Sequence, residues 1–291
     1  NDYRISFQLY SARNFLPLEP QLEALAAIGF DAVEPYRGAF GDDAAGFRRK
    51  IDAVGLKCPT AHLPVDLLLS DRAAFIGIAE TLGLEAAILP YLAEELRPTT
   101  RAGWEDFAAT LSDNVAALAG GGLKLAWHTH AFEYVPLADG FRPIEALIAA
   151  PGMYYEPDIG WIARSGAPIA GELTRFPGKI VAFHVKDTAP AGVTADDGWT
   201  DVGSGTIDWA GLWPTVAASG PYGHPFHPLL VTIPVGAFVA TLAFDVASRL
   251  VEGRAFGRAA TWLSLIGIVS ALFAAVFGVI DYLRISKGTP A

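Results

Sequence analysis

The sequence predicts an α/β protein: a (β/α)8-type barrel that lacks its normal eighth strand, followed by an all-α C-terminal hairpin of two apolar helices. Within residues 1–220, short β-rich runs alternate with longer helical patterns about every 25 to 35 residues, as in repeated βα units around a parallel sheet. The 291 residues are enough for a barrel with a short appendage. Residues 221–291 are strongly apolar, which marks them as a second domain.

Seven predicted strands begin with apolar residues and end with polar ones. Their approximate ranges are Arg4–Tyr10, Ala32–Tyr36, Lys57–Leu63, Ala86–Tyr91, Leu123–His130, Met153–Asp158 and Ile180–Lys186. Before the fifth strand, apolar residues from Phe107 to Leu118 recur at helical spacing, and Gly120–Gly122 end that helix. The loop Thr188–Gly205 follows the seventh strand, where a lid over the barrel mouth would lie.

Ionisable groups stand near the ends of at least five of these strands, where barrels of this class assemble their sites. Side chains two residues apart on a strand share a face, so these groups are expected to point to one barrel mouth. They are Glu34, His62, His128, His130, Glu156, Asp158, His184 and Lys186. Burying so many charges unpaired would be costly, which predicts a bound cation or polar ligand. Carboxylate and imidazole groups together suit Mn, Mg, Co or Zn at an open site.

The net charge of −10 is concentrated in the predicted barrel. Residues 221–291 carry five basic and three acidic side chains, a charge of +2, so residues 1–220 carry −12. An acidic surface repels a phosphate backbone, and we therefore expect no nucleic-acid partner. The single cysteine, Cys58, excludes an intrachain disulfide and fits a reducing compartment, so the barrel is expected to be cytoplasmic.

Six short runs resemble those of the sugar phosphate isomerase/epimerase family, the xylose isomerase-like TIM barrels. They are ISFQLYSARN, AVEPY, HTHAFEY, EPDIGW, FHVKD and VGSGTIDW, which occur in this order between about residues 3 and 216. The resemblance implies a divalent metal held by carboxylates and a histidine from the fifth to the eighth strands. Carried over by motif, it implies Asp158 of EPDIGW and His184 of FHVKD as metal ligands.

The fifth-strand ligand and the substrate pocket follow from the same resemblance. Many relatives have a Glu where this chain has His128, whereas a subgroup keeps a His there and offers the Glu of the HTHAFEY run, Glu133, as the ligand. Glu34, His62 and Lys186 would then line the pocket for a sugar or sugar phosphate.

The implied chemistry is proton transfer next to a carbonyl, through an enediolate of the sugar. Glu133 is the preferred base if it is not only a ligand, and His128 or His130 is the alternative. The same barrel type also carries abasic-site nuclease chemistry, but such sites need more histidines and a basic surface.

The family pattern stops where an eighth strand with a ligand Glu is expected. The sequence has Ser219–His224 at this point, and no Glu occurs between Glu172 and Glu252. Three protein ligands can still hold a catalytic metal. Two alternatives to an active enzyme therefore stay open: an inactive sugar- or metal-binding barrel tethered to a membrane, and a fusion or truncation product without its own function.

The C-terminal segment has the composition of membrane helices. Residues 221–244 and 259–280 contain no Asp, Glu, Lys or Arg, and the second stretch is long enough to span a bilayer. Residues 221–287 resemble the start of a family of small bacterial multi-helix membrane proteins. We therefore expect attachment to the inner membrane through residues 221–285. In a competing interpretation, Leu229–Val235 serves as a substitute eighth strand.

Overall fold

The computed structural model describes residues 4–220 and four isolated positions, 261, 264, 265 and 268. The chain divides into two compact units, Asn1–Pro221 and Tyr222–Ala291, and the fold described below is that of the first. The predicted apolar hairpin and the alternative strand Leu229–Val235 lie outside the described residues. Every helix in the described part of the chain is too short or too polar to cross a bilayer.

Six parallel strands form the centre of the first unit, in the order of the sequence. They are β1 (Ser6–Gln8), β2 (Ala32–Glu34), β3 (Thr60–His62), β4 (Ala86–Leu89), β5 (Lys124–His128) and β6 (Met153–Glu156). β1 pairs with β2, and β3 to β6 pair consecutively. Single bridges, Ala32 with Lys57 and Tyr36 with His62, link the two sheets. The first six predicted strands are confirmed, although each is shorter than its predicted range.

The seventh predicted strand follows β6 only through two isolated bridges, so its prediction as a regular strand is wrong. Tyr155 is bridged to Ile180, and Asp158 is bridged to His184. The two residues of the first bridge are 25 positions apart in the sequence, and those of the second bridge are 26 positions apart. The seventh segment therefore contains one extra residue between the two bridges. Pro157 lies between the bridges and has no N–H to continue the ladder, which accounts for the interruption.

A hairpin follows the seventh segment inside the predicted lid loop. Its strands are β7 (Asp187–Thr188) and β8 (Trp199–Thr200), which pair antiparallel. Within residues 4–220 there is no eighth parallel strand, and no backbone hydrogen bond joins β1 to residues 180–186. The described part of the chain is thus a barrel-like array that does not close on itself.

Ten α-helices in residues 4–220 cover the strands. They are α1 (Leu18–Ile28), α2 (Arg37–Phe40), α3 (Ala44–Ala53), α4 (Val65–Ser70), α5 (Arg72–Leu82), α6 (Arg101–Ala119), α7 (Pro143–Ala149), α8 (Ile159–Ser165), α9 (Ile169–Arg175) and α10 (Trp209–Ser219). Side chains cap several N-termini, including those of α6 and α10, where Thr100 and Asp208 accept from backbone N–H groups. In α6, Leu111 and Leu118 are buried in the core, which confirms the predicted helix face.

Alternate residues of the central strands face the interior of the array. Ala86, Ile88 and Ala126 form a small buried cluster, whereas Ala87 and Leu125 belong to the large core shared with the helices. By the same alternation, the last residues of β5 and β6 point inward. The interior therefore ends, at the carboxyl edge of the strands, in polar groups.

Candidate metal centre

Buried ionisable residues meet at the carboxyl ends of the parallel strands. Glu34, His62, His128 and Glu156 are the last residues of β2, β3, β5 and β6. His184 reaches the same place from the seventh segment. In the described residues, His62, His128, Glu156 and His184 offer ligand atoms that all lie within 4.8 Å of one another. Strand direction alone brings these side chains together, because parallel strands end at one edge.

Asp158 contributes to this group a buried oxygen that accepts no hydrogen bond. Its Oδ1 accepts a hydrogen bond from the Trp161 backbone N–H at 3.0 Å, at the start of α8. Its Oδ2 is buried and has no hydrogen-bond partner. The His184 Nδ1 lies 3.7 Å from this oxygen, and the His128 Nε2 lies 3.9 Å from it. A buried carboxylate oxygen without a hydrogen bond is costly unless a cation compensates it, and the Lys186 ammonium, 3.6 Å from Oδ2, does so in part.

The other nitrogen of each of these two imidazoles faces a carboxylate. His128 Nδ1 lies 3.1 Å from Glu156 Oε2, and His184 Nε2 lies 2.7 Å from Glu34 Oε1. In the neutral form of each ring, donation from these nitrogens leaves the lone pairs on His128 Nε2 and His184 Nδ1, which face Asp158. Burial opposes a charge on His184, but Glu156 and Glu34 raise its pKa well above the usual value, so a metal ion would have to displace a proton from this ring. Histidine ligands of metals are usually oriented in this way by a carboxylate. Ligand atoms at about 2.1 Å from one ion lie up to about 4.2 Å apart, so each of the two nitrogens is close enough to Asp158 Oδ2 to share an ion with it.

His62 lies between the two carboxylates. Its Nε2 is 2.9 Å from Glu156 Oε2 and 3.1 Å from Glu34 Oε1, and its Nδ1 is 3.2 Å from Gln8 Nε2. Burial opposes a charge on His62, but the negative Glu34 and Glu156 raise its pKa to about 9. Burial would also raise the pKa of Glu34, yet the neighbouring His62 and His184 hold it well below its usual value. Glu156 differs, because burial and the charge of Glu34 raise its pKa.

His130 faces the mouth of the array as a neutral base. Burial lowers the pKa of His130 to about 4. Its Nδ1 is buried without a hydrogen-bond partner. The ring lies 5.0 Å from the Tyr91 ring, 5.0 Å from the His128 ring and 5.2 Å from the Trp161 ring, measured between centroids. An imidazole with a free nitrogen in this aromatic setting can accept a proton from a bound molecule.

A family model for xylose isomerase-like TIM barrels matches residues 22–226 of the sequence. The chain belongs to this family. A second model, described as a predicted membrane protein (DUF2231), matches residues 223–291. Apart from positions 261, 264, 265 and 268, the matched segment lies outside the described residues. No curated protein sequence matches the chain.

Solved structures similar to this xylose isomerase-like barrel share its fold at low sequence identity. A sugar phosphate isomerase/epimerase from Parabacteroides distasonis has a TM-score of 0.62 at 16% identity, over 75% of this chain and 84% of that one. The IolI protein with a bound zinc atom has a TM-score of 0.59 at 16% identity, over 74% and 84%. D-psicose 3-epimerase, solved with D-fructose, has a TM-score of 0.52 at 15% identity, over 74% and 80%.

The barrel brings most of the sequence-predicted site residues together. Asp158, His184, His128, His62 and Glu34 meet as described above. Lys186 also reaches the group: its Nζ lies 3.6 Å from Asp158 Oδ2 and 3.8 Å from the centre of the Trp199 ring. Burial lowers the pKa of this lysine. Each of these residues stands at or just beyond the carboxyl end of its strand.

Glu133 lies outside this group. It is fully buried, Oε1 accepts from the Trp127 indole N–H at 2.9 Å, and Oε2 accepts from the His130 backbone N–H at 2.8 Å. Burial raises the pKa of Glu133 to about 7. Both oxygens are thus already used within the barrel, close to the residues that the resemblance assigns to the site.

One residue of the site was missed in the sequence, and a second was placed at the mouth without a role. Glu156 shares a face with Asp158 in EPDIGW, and this alternation predicted its position but not its contacts with His62 and His128. Gln8 stands at the end of β1, in the ISFQLYS run, and contacts His62. No sequence spacing connects Gln8 to a residue 54 positions later.

Proposed function

We propose that this protein is a divalent-metal-dependent isomerase or epimerase that acts on a sugar or sugar phosphate by proton transfer next to a carbonyl. In this proposal Asp158, His128 and His184 bind the metal. The observation that carries it is the buried Oδ2 of Asp158, which accepts no hydrogen bond and faces two imidazole nitrogens whose rings are oriented by carboxylates.

The donor set suits a transition metal with open positions. Two imidazoles and one carboxylate fit Zn, Co or Mn better than Mg, which prefers oxygen ligands. When bound, such an ion polarises a carbonyl and stabilises the charge that develops on its oxygen. The zinc atom in the IolI protein and the sugar in the D-psicose 3-epimerase structure are consistent with this assignment.

His130 is the residue we propose to move the proton. It is neutral near pH 7, its Nδ1 has no partner, and it stands beside His128 at the mouth. Glu133 then acts on His130 by holding its backbone N–H, in place of the direct role that the resemblance implies. His128 is used as a ligand. Lys186 is placed to contact a substrate oxygen beside Asp158.

A barrel that binds a metal or sugar without turnover is the second candidate. The specific observation in its favour is the absence of any Glu between Glu172 and Glu252 in the sequence, where the family's eighth-strand ligand is expected. Three ligands leave the ion more exposed, and the second acid or base is missing.

Metal content and proton exchange separate these candidates. The full chain, purified in mild detergent, is loaded with Zn, Co, Mn or Mg, and its metal content is measured. Ketoses and their phosphates are then incubated with it in deuterated water. We expect one ion per chain, deuterium incorporation next to the carbonyl, and loss of both in Asp158→Asn. Asp208→Asn, an exposed helix cap on α10, is the matched control and should bind like the parent protein.

Each result of the metal and exchange measurements supports a different conclusion. Bound metal without exchange on any sugar would favour the binding barrel. Failure to bind any of the four ions would remove the metal-dependent proposal altogether. Exchange that persists in His130→Gln would move the proton transfer to another residue.

We also propose that the barrel occupies residues 1–220, faces the cytoplasm and is attached to the inner membrane by residues 221–285. The support is the uncharged composition of residues 221–244 and 259–280 and the match to a predicted membrane protein family. Fractionation of cells that express the full chain tests this. Recovery of the full chain in the soluble fraction, without detergent, would argue against the attachment.

A further inference from the structure

Lys186 needs more than Asp158 to hold its side chain in one place. Its Nζ lies 3.6 Å from Asp158 Oδ2, which is longer than a hydrogen bond. The lysine side chain is also partly exposed, and a partly exposed ion pair gains little free energy by itself. Ordering the four-carbon stem of a lysine costs conformational entropy. A further contact is therefore required to keep the ammonium beside Asp158.

The ring of Trp199 provides this contact. Trp199 is the first residue of β8, and the centre of its ring lies 3.8 Å from Lys186 Nζ. A cation over an aromatic face is attracted to it, and indole is the best of the aromatic side chains for this interaction. The Trp161 ring centre lies 5.2 Å from the same ammonium, and the two indoles meet edge to face with their centroids 4.9 Å apart. Two indoles and one carboxylate thus surround the lysine.

The turn before Trp199 and a side chain of α8 hold the ring in this place. Three consecutive residues have left-handed backbone conformations, with φ of 50° at Asp196, 56° at Asp197 and 75° at Gly198. Residues other than glycine seldom adopt such a conformation, so neighbouring contacts must stabilise the turn. Arg164 donates from Nη2 to the Asp197 backbone carbonyl, and its guanidinium carbon lies 3.3 Å from the centre of the Trp199 ring.

Gly160 gives the ring the room that it needs beside α8. A Cβ at this position would lie 2.7 Å from Cζ3 of Trp199 and 2.9 Å from Cβ of Lys186. Gly160 lies within α8 and does not have a left-handed backbone conformation. The close approach of the two side chains, and not the backbone conformation, therefore accounts for the glycine.

We propose that Trp199 is a positioning residue whose ring holds the Lys186 ammonium beside Asp158, so that the lysine can contact an oxygen of the substrate. Gly160 lets the ring approach, and Arg164 keeps it in place. This inference rests on the proposed function for the presence of a substrate at Asp158. Its structural part, the contact between the ring and the lysine, also concerns the protein without metal or substrate.

Proton NMR of the full chain with 13C-labelled lysine, in mild detergent and without metal, tests the contact. The chain has six lysines, and the signal of Lys186 is the one that disappears in Lys186→Met. Protons over the face of an indole are shifted upfield by its ring current. We expect the εCH2 protons of Lys186 upfield of their position in the unfolded chain. They should move downfield in Trp199→Leu and less far in Trp199→Phe, which keeps an aromatic face.

Turnover tests what the contact does for a substrate. Deuterium incorporation next to the carbonyl and metal content are measured for the parent, for Trp199→Leu, for Lys186→Met and for the double variant. We expect Trp199→Leu to keep its metal and to lower kcat/KM on the order of 10-fold, with part of the loss recovered in Trp199→Phe. In the Lys186→Met background, the same replacement should change kcat/KM by less than about 2-fold, because no ammonium is left to position.

Two glycine variants separate this contact from effects on helix stability. Gly160→Ala should reproduce both effects of Trp199→Leu, because its methyl group displaces the ring while both side chains are still present. Gly77→Ala on α5 is the matched control. A Cβ at Gly77 meets no atom within 4 Å, so neither the Lys186 signal nor the exchange rate should change.

Three results would overturn the inference. The first is a Lys186 signal that is the same in Trp199→Leu as in the parent, and the second is an effect of Trp199→Leu that is equally large in the Lys186→Met background. The third is loss of the bound metal in Trp199→Leu, since the ring would then support the metal ligands and not the lysine. If the parent exchanges no proton on any sugar, the proposed function fails, and the NMR comparison still decides whether Trp199 holds Lys186.

Discussion

Asp187 ties together the loop after the seventh segment, and its replacement by Asn should loosen that loop selectively. The side chain is buried. Its Oδ1 accepts from the Thr188 and Ile207 N–H groups, and its Oδ2 accepts from Gly203 N–H, Gly205 N–H and the Trp209 indole. Burial would raise the pKa of Asp187, but these donors lower it below its usual value.

The destabilisation of the loop in Asp187→Asn can be estimated from the hydrogen bonds that each carboxylate oxygen accepts. An Asn can keep the three donors of Oδ2 on its carbonyl oxygen, but its NH2 group would face the N–H groups of Thr188 and Ile207. Hydrogen bonds to a charged group contribute at least about 1.5 kcal/mol each, so losing two destabilises the loop by about 3 kcal/mol. The equilibrium constant for opening of the loop therefore increases on the order of 100-fold.

Amide hydrogen exchange measures this opening directly. In Asp187→Asn, the Gly203, Gly205 and Ile207 amides should exchange on the order of 100-fold faster, whereas amides of β5 should exchange as before. The control is Asp208→Asn, one residue before α10, since Asn caps helices as well as Asp does. Unchanged protection of the Gly203 and Gly205 amides would refute the argument that Asp187 orders the loop.

Three further predictions concern the barrel itself. Burial raises the pKa of Cys58 to about 12, so a thiol reagent at pH 8 should label it only after unfolding in urea, and rapid labelling of the folded chain would contradict its placement. Leu111→Ala should lower the free energy of unfolding by about 2 to 5 kcal/mol because Leu111 is fully buried, whereas Leu96→Ala at an exposed position should change it by less than about 0.5 kcal/mol in the same urea titration. Burial raises the pKa of Glu133 from 4.5 to about 7, so the folded state binds the Glu133 proton more tightly than the unfolded state does. The free energy of unfolding of the parent, relative to that of Glu133→Gln, should therefore fall by up to about 3 kcal/mol between pH 5 and pH 8. A difference that does not change with pH would show that Glu133 is not buried as described.

Much of the barrel was predictable because its signal is local. The first six strands carry apolar runs with a polar residue at the carboxyl end, and chain direction alone brings such ends together. His128 and Glu156 could be placed on the inner face by alternation. The interruption of the seventh strand could not be predicted, because the effect of Pro157 depends on which strand pairs with it.

The contacts that assign roles within the site are long-range, and the sequence carries no spacing for them. Asp187 receives donors from residues 16 to 22 positions later, so it looked like the polar end of FHVKD and nothing more. Glu133 was expected at the metal from its motif. Its two oxygens accept hydrogen bonds from the Trp127 indole and the His130 backbone, which only the packing around β5 reveals, and its role at a metal stays a prediction.

Pro157 decides which of two adjacent side chains reaches the interior. If the offset of 25 at Tyr155 and Ile180 continued, Asp158 would stand opposite Phe183; with the extra residue it stands opposite His184. Phe183 instead packs against the large core that the strands share with the helices. Because Pro157 has no amide hydrogen, the ladder shifts by one residue, and the His184 imidazole lies beside Asp158 where the Phe183 ring would otherwise lie. The Pro157→Ala variant has this hydrogen, so an uninterrupted ladder could form in which Asp158 pairs with Phe183 and His184 no longer faces the interior.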